Sequence, residues 1–79
     1  MINVLFFGPV AERAGISSLC VESSSGLTVA ALRDEMAKRY PDAFALVSLI
    51  AVDGHHERNP QRVLDDGAEV VFMSKFSGG

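Results

Sequence analysis

The run Thr28-Val29-Ala30-Ala31-Leu32-Arg33-Asp34-Glu35-Met36-Ala37-Lys38-Arg39-Tyr40-Pro41 dictates how the rest of the chain is arranged. Its apolar residues Val29, Leu32, Met36 and Tyr40 recur at steps of three and four, the spacing that gathers side chains on one face of an α-helix. Thr28 offers a side-chain oxygen where a helix N-cap needs one. Pro41 disfavours helical backbone at the residue before it and ends the run. On the outer face Asp34 stands four before Lys38, and Glu35 four before Arg39; this acid-first order adds about 0.2–0.5 kcal/mol per pair. Lys38 and Arg39 also sit at the negative end of the helix dipole. A helix with one apolar stripe must bury it, and the flanking sequence supplies mainly strands for the purpose.

Before the helix, residues 2–7 form an apolar run interrupted only by Asn3, which predicts a strand stopped by Gly8-Pro9. Residues 9–14 then fit a short helix with Pro in its first turn and Gly15 just past its end. Residues 18–22 predict a second strand, with Leu19 and Val21 on one face and Cys20 on the other; Ser23-Ser24-Ser25-Gly26 reads as a turn. After the helix, residues 42–48 fit one more turn that contributes Phe44 and Val47 to the core. Residues 49–52 predict a third strand, Asp53-Gly54 a hairpin turn, and residues 55–58 a short polar return strand. Asn59-Pro60 breaks the chain again, and residues 69–73 form the last strand beyond the Asp66-Gly67 turn. The fold class is α+β, one main helix laid across a mixed sheet, and the domain is single, spanning residues 1–79.

Composition narrows the function classes. With 79 residues there is room for one small core; 48% hydrophobic and 22% charged residues describe a foldable rather than a disordered chain. A net charge of -3 gives no attraction for nucleic acid or anionic membranes. The one cysteine, Cys20, excludes an internal disulfide framework, and no apolar run reaches membrane-spanning length. A cytoplasmic location is the expectation. Cys20 has no basic neighbour to favour its thiolate and reads as a packing or surface thiol. His55 and His56 point to opposite faces of a strand, so they make a poor metal pair; no metal site is expected. Asp65-Asp66 is a turn pair before Gly67. No Ser-His-Asp order or glycine-rich phosphate loop is present.

The informative segment is Lys75-Phe76-Ser77-Gly78-Gly79. Without Cβ atoms, Gly78 and Gly79 can pass extended through a channel too narrow for other residues. A carboxylate at Gly79 is inert toward nucleophiles until an activating group turns one oxygen into a leaving group. Adenylation by a partner would do that, after which a sulfur or amine nucleophile can attack.

Several stretches then resemble the molybdopterin synthase small subunit, of the MoaD/ThiS-type ubiquitin-like sulfur-carrier family. They are residues 1–15 (MINVLFFGPVAERAG), Thr28-Val29-Ala30-Ala31-Leu32, Ile50-Ala51-Val52 before its turn, Leu64-Asp65-Asp66-Gly67-Ala68-Glu69-Val70, and Ser77-Gly78-Gly79. They span nearly the whole chain in the family's order and spacing. The resemblance implies a β-grasp (ubiquitin-like) fold with residues 76–79 as an extended tail. It implies that Gly79 is adenylated by an E1-like adenylyltransferase using ATP, and receives sulfur from a sulfur donor protein as a thiocarboxylate. It implies delivery of that sulfur to a pterin precursor in the large subunit of molybdopterin synthase, with no cofactor bound by the carrier itself. Carriage for thiamine thiazole or another sulfur-containing metabolite, and conjugation to lysines as a protein modifier, are the alternative uses of the same tail. This chain departs from the family pattern in two places: Met73-Ser74-Lys75-Phe76 stands where a Pro-Pro pair is usual, and the turn that usually carries Asn is Asp53-Gly54, followed by the polar return strand Gly54-His55-His56-Glu57-Arg58.

In a β-grasp fold the first and last strands lie side by side. Alternation then groups Leu5 and Phe7 with Val71 and Met73, on the face that also holds Asn3, Glu69 and Lys75. These four predict an exposed apolar patch at the root of the tail, the mark of a binding surface. Phe76 and Ser77, which carry the glycine pair, complete the expected partner-binding set.

Overall fold

The computed structural model describes residues 1–75. Strand β1 (Ile2–Phe6) leads through helix α1 (Pro9–Ala14) to β2 (Ser18–Val21); helices α2 (Val29–Arg39) and α3 (Pro41–Phe44) follow, then β3 (Leu49–Val52), β4 (His55–His56) and β5 (Glu69–Met73). The five strands pair in the order β2-β1-β5-β3-β4. The first and last strands run parallel at the centre, Asn3 beside Glu69 and Phe6 beside Phe72, and every other pairing is antiparallel. This is the mixed sheet with one main helix across it that defines a β-grasp, ubiquitin-like fold.

The long helix forms where its residue spacing places it. Thr28 caps it, its hydroxyl accepting from the Ala31 N–H at 3.1 Å. Val29, Leu32 and Met36 point inward and are 0–3% exposed. Two further N-terminal amides find partners outside the helix: Val29 N–H donates to the Arg62 carbonyl and Ala30 N–H to that of Pro60, both at 2.9 Å. Loop 59–63 thus supplies acceptors that helix geometry alone leaves missing. Of the two expected charge pairs, Glu35–Arg39 closes to 3.6 Å. Both partners are about half exposed, so it contributes little. Residues 41–44 supply the extra turn expected between 42 and 48, beginning one residue earlier because Pro41 suits a first helical position.

One face of the sheet is covered. Ile2, Val4 and Phe6 of β1 and Val70 and Phe72 of β5 pack with α2 and α3, each at most 2% exposed. Phe6, Phe44 and Phe72 pack mutually, the tightest pair being Phe44 and Phe72 with centroids 4.9 Å apart, and Tyr40 meets the edge of Phe6 at 5.4 Å. Full burial of such a side chain contributes about 1.5–3 kcal/mol. The turn between β3 and β4 holds Asp53 at φ 51° and Gly54 at φ 84°. A two-residue hairpin of the common type needs positive φ at both places, which Asp-Gly tolerates.

Candidate functional site

The opposite face of the sheet carries none of the described helices. β1, β5 and β3 pair so that Leu5, Val71 and Ala51 form a row across three strands, with Met73 beside Leu49 in the next row. None of these five side chains belongs to the helix-covered core cluster. Phe7, one residue beyond β1 and in phase with Leu5, is 47% exposed; its N–H donates to the Phe72 carbonyl at 3.1 Å, which extends the strand pairing to this point. Leu5 and Met73 are half-buried.

Val71 departs from the exposed patch expected of it: it is only 5% exposed. Its strand is the middle one of the central three, so the side chains of Leu5 and Ala51 flank it on both sides. Exposure on a sheet face falls toward the centre even without a covering layer. The outward patch is therefore a rim of Phe7, Leu5 and Met73 around a recessed Val71. Sequence reasoning missed Leu49 and Ala51, which complete it. Their alternation in residues 49–52 was legible; what was missing was the register that sets β3 beside β5.

The root of the C-terminal segment is clamped from one side. Ser48 N–H donates to the Met73 carbonyl at 3.0 Å, and the Ser48 hydroxyl accepts from Lys75 N–H at 2.8 Å. One serine thus continues the β3–β5 pairing past the end of the strand and fixes the direction in which the backbone leaves the sheet. The neighbouring Ser74 is 7% exposed, and its hydroxyl has no hydrogen-bond partner among the described residues. Phe76, Ser77, Gly78 and Gly79, with the tail expected over residues 76–79, lie outside the described residues.

The remaining candidates fall elsewhere. Cys20 is exposed on β2, and its thiol meets Asn3 Oδ1 at 3.4 Å on the outward face. His56 pairs with Ala51 and His55 with Val52, which puts them on opposite faces of an edge strand. Among the described residues no group of three or more His, Cys, Asp or Glu could hold a metal. No described helix is long and apolar enough to cross a membrane. Two carboxylates titrate below their ordinary range, both for structural reasons. The Arg62 guanidinium donates to Glu57 at 2.8 Å and holds its carboxyl down, helped by the Asn59 amide. Asp66 is lowered first by a hydrogen bond from the amino group of Met1 and then by Ser23. Asp66 precedes β5, so this clasp closes the end of the β1–β5 pair opposite to the one from which the tail departs.

The described residues therefore carry no assembled catalytic constellation. They offer a half-exposed apolar face, and beside it a clamped backbone that leads into Gly78 and Gly79.

Solved structures share this architecture. A putative molybdopterin converting factor subunit 1 from Pyrococcus furiosus superposes with a TM-score of 0.81 at 24% identity, over 92% of this chain and 94% of that chain. Small archaeal modifier protein 1 of H. volcanii gives 0.77 at 17% identity, over 92% of this chain and 94% of that chain. A complex of subunits 1 and 2 of the molybdopterin-converting factor from Helicobacter pylori contains a chain that gives 0.73 at 23% identity, over 99% of this chain and 97% of that chain. At these identities the likeness is one of fold. No curated protein sequence matches the chain. The model of the ThiS family matches residues 4–79, nearly the full length, and the chain belongs to that family.

Proposed function

We propose that the protein is a sulfur carrier whose working group is the carboxylate of Gly79, and that it serves as the small subunit of molybdopterin synthase. An E1-like enzyme adenylates Gly79 with ATP and releases pyrophosphate. Hydrosulfide supplied by a sulfur donor then attacks the acyl carbon, the acyl–phosphate bond breaks, AMP leaves and a thiocarboxylate remains. In the large subunit that sulfur passes to a pterin precursor. The side chains of the domain take no part in these bond changes; they dock the partners and present the tail.

The observation that carries this reading is the match to the ThiS family through to residue 79, where the chain reads Ser77-Gly78-Gly79. The half-exposed face of Leu5, Phe7 and Met73, beside the point where the backbone leaves the sheet, supports it as a docking surface. The subunit 1–subunit 2 complex among the structures of the same fold favours a large synthase subunit as partner. A second reading is kept open by the likeness to small archaeal modifier protein 1: the same activated carboxylate, attacked by a lysine amine, would make this chain a protein modifier.

Incubation with ATP, an E1-like enzyme and a sulfur source should convert the terminal carboxylate to a thiocarboxylate, seen in the intact mass as replacement of one oxygen by sulfur. Deletion of Gly79 should abolish both loading and transfer while the far-UV circular dichroism stays unchanged. Full transfer by the deletion variant would sink the carrier reading. Loading without transfer to the pterin precursor, with isopeptide-linked adducts in cells, would favour the modifier.

A further inference from the structure

The β3–β5 pairing sets Leu49 beside Met73, so two more residues of regular ladder would set Val47 beside Lys75. That extension does not form. The N–H groups of Leu46 and Val47 bond back to the carbonyls of Ala43 and Phe44, at 3.0 and 3.3 Å, so both residues belong to the turn that ends α3. β3 starts only at Leu49, which leaves Lys75 N–H without its ladder acceptor. Ser48 fills the gap. Its own N–H donates to the Met73 carbonyl at 3.0 Å, and its hydroxyl oxygen accepts from Lys75 N–H at 2.8 Å in place of the missing carbonyl.

Stability does not require this second bond. Ser48 is exposed, so water would satisfy the Lys75 N–H at little net cost. What water would not do is hold Lys75 to one direction. The serine ties the backbone at Lys75 to the end of β3, beside Leu49 and Met73 of the outward face. Direction, rather than folding energy, is what its side chain adds.

We propose that Ser48 is a positioning residue for activation of the C-terminal carboxylate: by holding Lys75, it presets the direction in which the chain leaves the docking face. The role rests on the carrier reading of Gly79. A partner seated on the outward face must otherwise order this exit itself, and the cost of ordering is subtracted from binding. Ser48 forms and breaks no bond in the reaction; its effect passes through the backbone of Lys75. Removing its hydroxyl therefore changes how readily the chain is engaged, and leaves the chemical step as it was.

Pyrophosphate release by the E1-like enzyme, with ATP saturating and the full chain as the varied substrate, separates the two quantities. Ser48→Ala should raise KM by about 2- to 12-fold, the loss of one hydrogen bond expressed as an equilibrium, with kcat unchanged. Ser48→Thr, which keeps the oxygen, should restore KM. Hydrogen exchange at Lys75 N–H, followed by NMR on the isolated chain, should quicken in Ser48→Ala and not in Ser48→Thr, while urea melts of all three proteins coincide. An unchanged KM or unchanged Lys75 exchange in Ser48→Ala would overturn the positioning role. So would a fall in kcat at constant KM, a threonine variant as impaired as the alanine one, or an early melt of Ser48→Ala that accounts for its loss. If the parent chain itself is never activated, the carrier reading falls and this role falls with it. If the parent is activated and Ser48→Ala matches it, the role of Ser48 alone is refuted.

Discussion

The two faces of the sheet use the same residue types to opposite ends. Under α2 and α3, Val4, Phe6, Val70 and Phe72 are at most 2% exposed, and the Phe6 and Phe72 rings meet that of Phe44 edge-on. One residue along each strand, Leu5, Phe7 and Met73 face the other way and keep part of their surface in water, with Phe7 at 47%. Successive side chains on a strand differ by half a turn, so a single step along the sequence separates folding from recognition. The apolar content of the outward face is therefore the more informative. A chain needs its core to fold at all, whereas an apolar rim left wet beside a departing tail requires another reason.

The largest effect separates the faces by stability. Phe6→Ala should cost about 3–5 kcal/mol, the usual result of emptying a buried aromatic site. In a domain whose total is of the order of 5–15 kcal/mol, that is a large share and can leave the variant partly unfolded. Phe7→Ala should cost about 1 kcal/mol or less, because roughly half the ring is already solvated. Urea melts of the two variants side by side make the comparison. Equal losses would show that Phe7 is covered in solution and that the faces are not distinct.

Much of this division was legible in the residues. The steps of three and four from Val29 to Tyr40, the Thr28 cap and the Asp53-Gly54 turn are local signals, and the structure places each where the sequence does. Alternation along residues 2–7 and 69–73 likewise assigned every side chain of β1 and β5 to its face. What escaped depends on pairing between distant segments. Val71 is recessed because Leu5 and Ala51 arrive from two other strands. The first amides of α2 are satisfied by carbonyls about thirty residues later, at Pro60 and Arg62. The Ser48 clamp on Lys75 joins residues 27 positions apart, and a serine after a short helical turn carries no local mark of it. Local periodicity reads faces; it does not read which strands are neighbours.

The second effect separates the faces by binding. If the outward rim docks the large subunit, Phe7→Ala should weaken that complex by about 1–3 kcal/mol, a roughly 5- to 150-fold rise in Kd. Titration calorimetry against the large subunit measures it, under conditions where the melt shows the variant folded. An unaltered Kd would move the docking surface off this face, although the fold and the Gly79 chemistry would stand.

The smallest effect sharpens the comparison within the outward face itself. Cys20 shares that face, but it sits on the edge strand β2 opposite Asn3, four residues along β1 from Phe7. At ~3.3 Å per residue that is about 13 Å from Phe7 and about 7 Å from Leu5, the near end of the apolar rim. Among the described residues its thiol meets Asn3 Oδ1 at 3.4 Å, a contact that a serine hydroxyl can also make after a small adjustment. The side chain is exposed, so replacing sulfur by oxygen leaves no buried polar atom unsatisfied. Cys20→Ser should therefore change folding stability by no more than about 0.5 kcal/mol. It should leave the Kd for the large subunit unchanged and retain thiocarboxylate formation at Gly79. A weakened complex would extend the docking surface across β2. Loss of sulfur transfer in a variant that still melts like the parent would place the carried sulfur on Cys20 and not on the tail. Because the two sulfur sites are far apart in the sequence, peptide masses of the loaded, proteolysed protein decide between them: the added sulfur travels either with the fragment holding residues 18–21 or with the one ending at Gly79.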